Sequence, residues 1–181
     1  ISREAVASSC AEEFGLPTIL ARMNAAYGDN GGFPAMVADM VLKDIPIHVM
    51  PEGRGQIASP IHEDDIFDHT PGLLAAASVP ATIVNWGGDE PVPVPEMAHY
   101  IASRVGKQAK VVAGPDGIHQ YWLDHALRTK LAGPCKVGWK AGVDGSVALA
   151  TLGAGEQIDT ETARKPIIGF IFSNKGLMYN L

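Results

Sequence analysis

An α/β fold is predicted for residues 1–137, followed by a mainly β tail over residues 138–181. Three observations carry this. Segments with apolar residues at i, i+3 and i+4 alternate with short apolar runs. Glycine and proline stand at the joins, where a left-handed cap or a fixed φ is wanted. Past Trp139 the helical spacing gives way to β-branched, aromatic and glycine residues.

The first helix runs from Ser2, a good N-cap, to about Phe14, with Val6, Cys10 and Phe14 on one stripe and Gly15 as its stop. On that stripe Cys10 reads as a buried small hydrophobe. Thr18 to Met23 reads as a buried strand. It opens into a polar loop carrying Asn24 and Tyr27 and ending at Gly28. In an open α/β sheet ligands bind beyond the carboxyl ends of the strands, which places Arg22, Asn24 and Tyr27 at the mouth of a candidate site. The competing reading makes Arg22 an ion-pair partner of Asp64 or Asp65 and Asn24 a loop cap.

Pro34 opens a second helix bearing Met36, Val37, Met40 and Val41. A short strand follows over Ile45 to Met50, then a glycine-rich turn over Pro51 to Ser59. In Ile61-His62-Glu63-Asp64-Asp65 the carboxylates suit the first turn of a helix, whose free N–H groups and dipole attract them, better than they suit a metal. Pro71 kinks or restarts that helix. Ala81 to Trp86 is a second buried strand, Pro95 starts a helix stopped at Gly106, and Ala109 to Val112 is a last short strand. Gly114 to Gly138 reads as a polar loop and a short helix.

Composition bounds the function. Hydrophobic residues make up 46% and charged residues 19%, as in ordinary globular proteins. A net charge of -6 opposes nucleic acid and anionic membranes as partners. No apolar run reaches the roughly 18 residues of a spanning helix. Neither Cys10 and Cys135 nor the six histidines show metal-ligand or Ser-His-Asp spacing, so no metal is expected. With no signal peptide at Ile1, a cytoplasmic location is expected, and the opening reads as cut from something longer.

The segments Ser2-Arg3-Glu4-Ala5-Val6-Ala7, Gly15-Leu16-Pro17 and Arg22-Met23-Asn24-Ala25-Ala26-Tyr27-Gly28 together resemble the extended short-chain dehydrogenase/reductases, the NAD-dependent epimerase/dehydratase family. The likeness continues through Ile61-His62-Glu63-Asp64-Asp65, Asn85-Trp86-Gly87-Gly88 and Gly133-Pro134-Cys135-Lys136-Val137-Gly138-Trp139. It implies the substrate-side, C-terminal part of a Rossmann-type fold lacking the N-terminal dinucleotide half. It also implies a small carbonyl or hydroxyl substrate and NAD or NADP in the complete parent enzyme. In that family a Tyr-x-x-x-Lys motif precedes the first helix. If Arg3 takes the lysine position, it is the catalytic and cofactor-binding candidate, and the tyrosine would lie two residues before Ile1. Arginine is an imperfect substitute for lysine there. The family's diphosphate-clamping arginine is replaced by Ala58, which argues against a nucleoside-diphosphate sugar.

The only tempting pyrophosphate turn, Gly153-Ala154-Gly155-Glu156-Gln157-Ile158, lacks the third glycine and a following helix, so no cofactor is expected to bind this chain alone. The tail over 138–181 resembles the SYLF lipid-binding family through its Gly-Trp-x-x-Gly-Val-Asp-Gly-Ser-Val, Gly-Phe-Ile-Phe and Asn-Lys-Gly-Leu-Met-Tyr-Asn-Leu sequences. It predicts strands over about 143–152, 167–172 and 177–181 with a turn at 174–176, and a free edge open to self-association. The alternatives to the enzyme fragment are a lipid-binding module and an inactive chimera of the two parents.

Overall fold

The structure, a computed structural model, describes residues 3–29, 31–51, 56–114, 117 and 120–144. Helix α1 (Arg3–Glu13) ends at Gly15, whose φ of +59° suits a residue without Cβ. Gly15 N–H reaches Glu12 O and Leu16 N–H reaches Ala11 O, the two bonds of a Schellman cap. Strand β1 (Ile19–Met23) leads through Ala25 to β2 (Ala26–Gly28), and β3 (Gly31–Gly32) turns back antiparallel on β2. Helix α2 (Phe33–Leu42) starts with Pro34 in its first turn, where the missing N–H costs no hydrogen bond.

Strands β4 (Ile47–Val49), β5 (Ile57–Ala58) and β6 (Ile61–His62) precede helix α3 (Glu63–Ala75). Strands β7 (Thr82–Trp86) and β8 (Val92–Pro93), helix α4 (Val94–Arg104), strand β9 (Val111–Ala113) and helix α5 (Ala126–Ala132) follow, and residues 139–144 are helical. Helix α3 runs unbroken through Pro71. The carbonyl that loses its partner belongs to Phe67, an exposed residue where water can serve it.

Two parallel pairs organise these elements. β1 pairs with β7, Ile19 opposite Thr82, and β4 pairs with β9, Ile47 opposite Val111. β2 joins β3 to β6, and β5 pairs antiparallel with β8. The main core lies where α2, α4 and β4 meet, built on Val37, Val41, Ile47, Met97 and Ile101. Trp139 and Val143, spaced i, i+4 on the last helical residues, fill the same core. Each fully buried aliphatic side chain of this kind contributes about 1.5–3 kcal/mol.

The other lobe departs from the sequence reading. No residue of β1 is buried, and Val84 alone is buried in β7. Cys10 is exposed, as are Val6 and Phe14, and Ala11 is the buried residue of α1. The apolar stripe exists, but among the described residues no layer lies over it. Val143 and Asp144, expected to start a strand, are helical because the Trp139–Val143 face packs into the core. The remaining strands and the turn expected in the tail lie outside the described residues.

Candidate functional site

The carboxyl ends of β1 and β7 sit side by side, with Arg22 opposite Asn85 and Met23 opposite Trp86. Arg22 does not pair with Asp64 or Asp65. Its guanidinium meets both carboxylate oxygens of Glu4 on α1, with Nε donating at 3.0 Å. The planar fork of the guanidinium matches the two oxygens of that carboxylate. The bond holds the Glu4 carboxyl below the usual carboxylate range. Arg3, next to Glu4 in α1, is exposed.

Asn24 is tied in by three bonds. Its N–H donates to Trp86 O at 3.1 Å, its Oδ1 accepts Ser59 N–H at 2.8 Å, and its Nδ2 donates to Gln120 Oε1 at 3.3 Å. Ser59 is buried, and its hydroxyl accepts Leu123 N–H at 3.1 Å. Asn85 Nδ2 donates to Asp124 O at 2.9 Å. Residues 120–124 are thus stitched across the carboxyl ends of both strands, where open α/β sheets bind ligands.

Tyr27 is 3% exposed, and its ring meets His62 edge-on at 5.2 Å. Among the described residues its hydroxyl has no hydrogen-bond partner, and it lies so close to Gly142 that a Cβ there would stand 2.3 Å away. Burial, and then the charges of Asp65, Cys135 and Glu90, raise its pKa, so the phenol stays protonated. The four residues singled out from sequence do not converge. Arg3 and Arg22 lie on the α1–β1 surface, Asn24 beneath the 120–124 segment, and Tyr27 under the last helical residues.

A denser polar cluster lies under α3. His62 caps that helix, its Nδ1 accepting Asp64 N–H at 3.2 Å, while Glu63 accepts Asp29 N–H at 3.0 Å. Asp65, in the same turn, reaches across to Lys136 N–H at 2.7 Å and Val137 N–H at 3.2 Å. His69, one turn on, receives Trp86 Nε1–H at Nδ1, 3.3 Å, and places Nε2 3.4 Å from Pro134 O. Burial lowers the His69 pKa, and burial pushes the Cys135 thiol up to about 12. Beside them Arg128, fully buried, donates to Gly133 O, Gly87 O and Asp89, and Asp89 also accepts Cys135 N–H at 2.8 Å. Sequence reading missed this cluster. The Asp65–His69 spacing of i, i+4, which sets both on one helix face, is the local sign it left.

Among the described residues there is no dinucleotide cradle. Gly31–Gly32 does enter a helix, but from a two-residue antiparallel strand, and Pro34 removes one of the N–H groups that a pyrophosphate would use. Among the described residues no helix is long and apolar enough to cross a membrane.

No protein-family profile and no curated protein matches the chain. Solved structures do. A UDP-glucuronic acid 4-epimerase from Bacillus cereus, in complex with UDP-glucuronic acid and NAD, matches with TM-score 0.66 at 19% identity, over 82% of this chain and 50% of that one. A dTDP-glucose 4,6-dehydratase from Streptomyces venezuelae with NAD bound gives TM-score 0.68 at 20% identity, over 84% and 49%. A UDP-glucose 4-epimerase from Thermus thermophilus in complex with NAD gives 0.63 at 22%, over 81% and 50%. The chain has the mixed α/β, Rossmann-type fold of these short-chain dehydrogenase/reductases and spans about half the length of the chains it matches.

Proposed function

We propose that this chain is the substrate-side half of an NAD(P)-dependent epimerase, dehydratase or reductase acting in the cytoplasm on a small carbonyl or hydroxyl substrate. One observation carries the reading: among the described residues nothing covers a set of apolar side chains in the β1–β7 lobe. Parallel strands are normally covered on both faces, yet Ile83 on β7, Val6 and Phe14 on α1, and Phe67 and Leu74 on α3 are all exposed. In this reading a dinucleotide-binding half outside this chain is the partner layer, and it would correspond to the part of the matched NAD complexes that this chain does not cover.

In this reading Asn24 and the 120–124 segment border the substrate, Arg3 and Arg22 face the cofactor side, and Tyr27 supports the site from beneath. The fully buried Ala58, standing where a diphosphate-clamping arginine is expected, favours a substrate without a nucleoside diphosphate. Of the matched structures named above, the Bacillus cereus epimerase is the one whose complex holds a nucleotide sugar, UDP-glucuronic acid. Hydride and proton transfer need groups outside this chain, so no chemical step is assigned to its residues.

The sequence encoded ahead of Ile1 tests the proposal. A strand, glycine-rich turn and helix are expected there, with a tyrosine two residues before Ile1, and an upstream sequence with neither would overturn it. Titration calorimetry of the chain alone with NAD and with NADP is expected to show no binding, whereas micromolar affinity would show that a cofactor site exists within these residues.

The lipid-binding alternative rests on residues 138–181. With a net charge of -6, the chain is expected to stay in the supernatant when spun with anionic liposomes. Co-sedimentation that is lost when the chain is cut after Asp144 would put lipid binding first.

A further inference from the structure

Asp65, His69 and Cys135 bring one ligand atom each to within 4.8 Å of one another. Asp65 and His69 are almost fully buried and Cys135 partly so. They come from different parts of the chain: two from successive turns of α3, the third from the segment joining α5 to the last helical residues. A carboxylate, an imidazole and a thiol form the mixed O, N, S donor set suited to a borderline-soft divalent ion such as Zn²⁺.

The surroundings suit an ion more closely than the donor list alone. Pro134 O lies opposite His69 Nε2, so Nε2–H donates to a backbone carbonyl and Nδ1 keeps its lone pair. That arrangement, with the far N–H held by a carbonyl, is the usual support of a metal-bound histidine. The lone pair is met for now by Trp86 Nε1–H, a long contact at 3.3 Å. Asp65 has two oxygens and spare lone pairs beyond the backbone N–H groups of Lys136 and Val137 that fix its orientation.

The second observation is independent of these three. Tyr27, 3% exposed, carries a hydroxyl with no partner among the described residues, on the strand that packs beside α3 and pairs with β6 at His62. A buried hydroxyl left unpaired is costly, so this one wants a partner that the described residues do not give.

We propose that Asp65, His69 and Cys135 bind a single divalent transition-metal ion, with the Tyr27 hydroxyl or a water held by it completing the coordination. Binding joins the ion to one carboxylate oxygen, His69 Nδ1 and Cys135 Sγ. The thiol proton leaves to solvent and Trp86 Nε1–H swings off the imidazole. With Asp65 and His69 buried and Cys135 partly buried, the site is structural, a clasp between α3 and the segment at residues 134–137. The proposal does not depend on the enzyme reading, and its test involves neither cofactor nor substrate.

Cobalt(II) is the probe. The metal-free full-length chain, titrated with CoCl₂, is expected to develop a thiolate-to-metal charge-transfer band that saturates at one equivalent and is displaced by ZnCl₂. The band is expected to vanish in Cys135→Ser and in His69→Gln and to persist in Cys10→Ser, with circular dichroism confirming that each variant is folded. A folded chain that shows no such band, or a band that survives Cys135→Ser or is lost in Cys10→Ser, overturns the proposal. Should Cys135→Ser not fold, the unaltered chain decides: with Zn²⁺ only the exposed Cys10 reacts with a thiol reagent, and after a chelator a second thiol does. Equal reactivity of Cys135 with and without Zn²⁺ rejects the site.

Discussion

Trp139→Ala is expected to lower stability by about 3–5 kcal/mol, read as a fall in the urea midpoint with an unchanged slope. The side chain is 4% exposed and sits in the core with Val143 against α2 and α4. It meets the Tyr100 ring edge-on at 5.2 Å, a geometry that adds to simple burial. The control is Trp122→Ala, since Trp122 is half-exposed and its loss should move the midpoint little. Equal midpoints for both variants would show that residues 139–144 do not belong to the α/β core. The expectation also bears on how far along the chain the α/β core extends. A cut after Val137 removes Trp139 and Val143 together and should unfold the α2–α4 lobe, while a cut after Asp144 should spare it.

Arg128→Ala is expected to be as damaging, again about 3–5 kcal/mol, because removing one partner strands the other. Arg128 is fully buried and ties three separated points together: Gly133 at the end of its own helix, Gly87 beyond β7, and Asp89. Without it Asp89 keeps its bond from Cys135 N–H and the neighbouring His125 ring but loses the guanidinium. Arg128→Ala with Asp89→Ala should be less unstable than the two single losses added together.

The same pair sets an acid limit. Burial raises the Asp89 pKa, but the Arg128 bond, the Cys135 N–H and the charge of Arg128 outweigh it, and the carboxyl is held below its ordinary value. A carboxylate lowered on folding contributes stability above its unfolded pKa of about 3.9, and the contribution is lost as pH falls through the folded value. That acid limb should shrink in the Arg128 variant. An acid limb of unchanged steepness would show that another carboxylate governs it.

The sequence was informative where the physics is local. Gly15 and Gly106 stop their helices at positive φ, and Pro34 starts one. It misled where burial depends on what lies across the way. Val6, Cys10 and Phe14 are spaced like a core stripe, and spacing says nothing about whether a layer exists to receive them. Arg22 chose Glu4 over Asp64 or Asp65, a matter of three-dimensional reach. The Asp65–His69–Cys135 and Asp89–Arg128 groups were illegible for a related reason. Their members lie far apart in the chain, and only the turn of α3 left a local trace.

The two parallel pairs have a consequence for how the molecule can be divided. Ile19 pairs with Thr82 and Ile47 with Val111, so the partners alternate along the chain: first lobe, second lobe, first lobe, second lobe. Neither lobe is a continuous length of polypeptide. Each is closed only by a crossover that passes through the other, and long-range closures of this kind come late and together in folding. The lobes are therefore braided rather than strung, and no single cut between Met23 and Val111 frees one of them intact. Loss of order in either should reach the other, so that β1 and α4 melt in one step although they share no core.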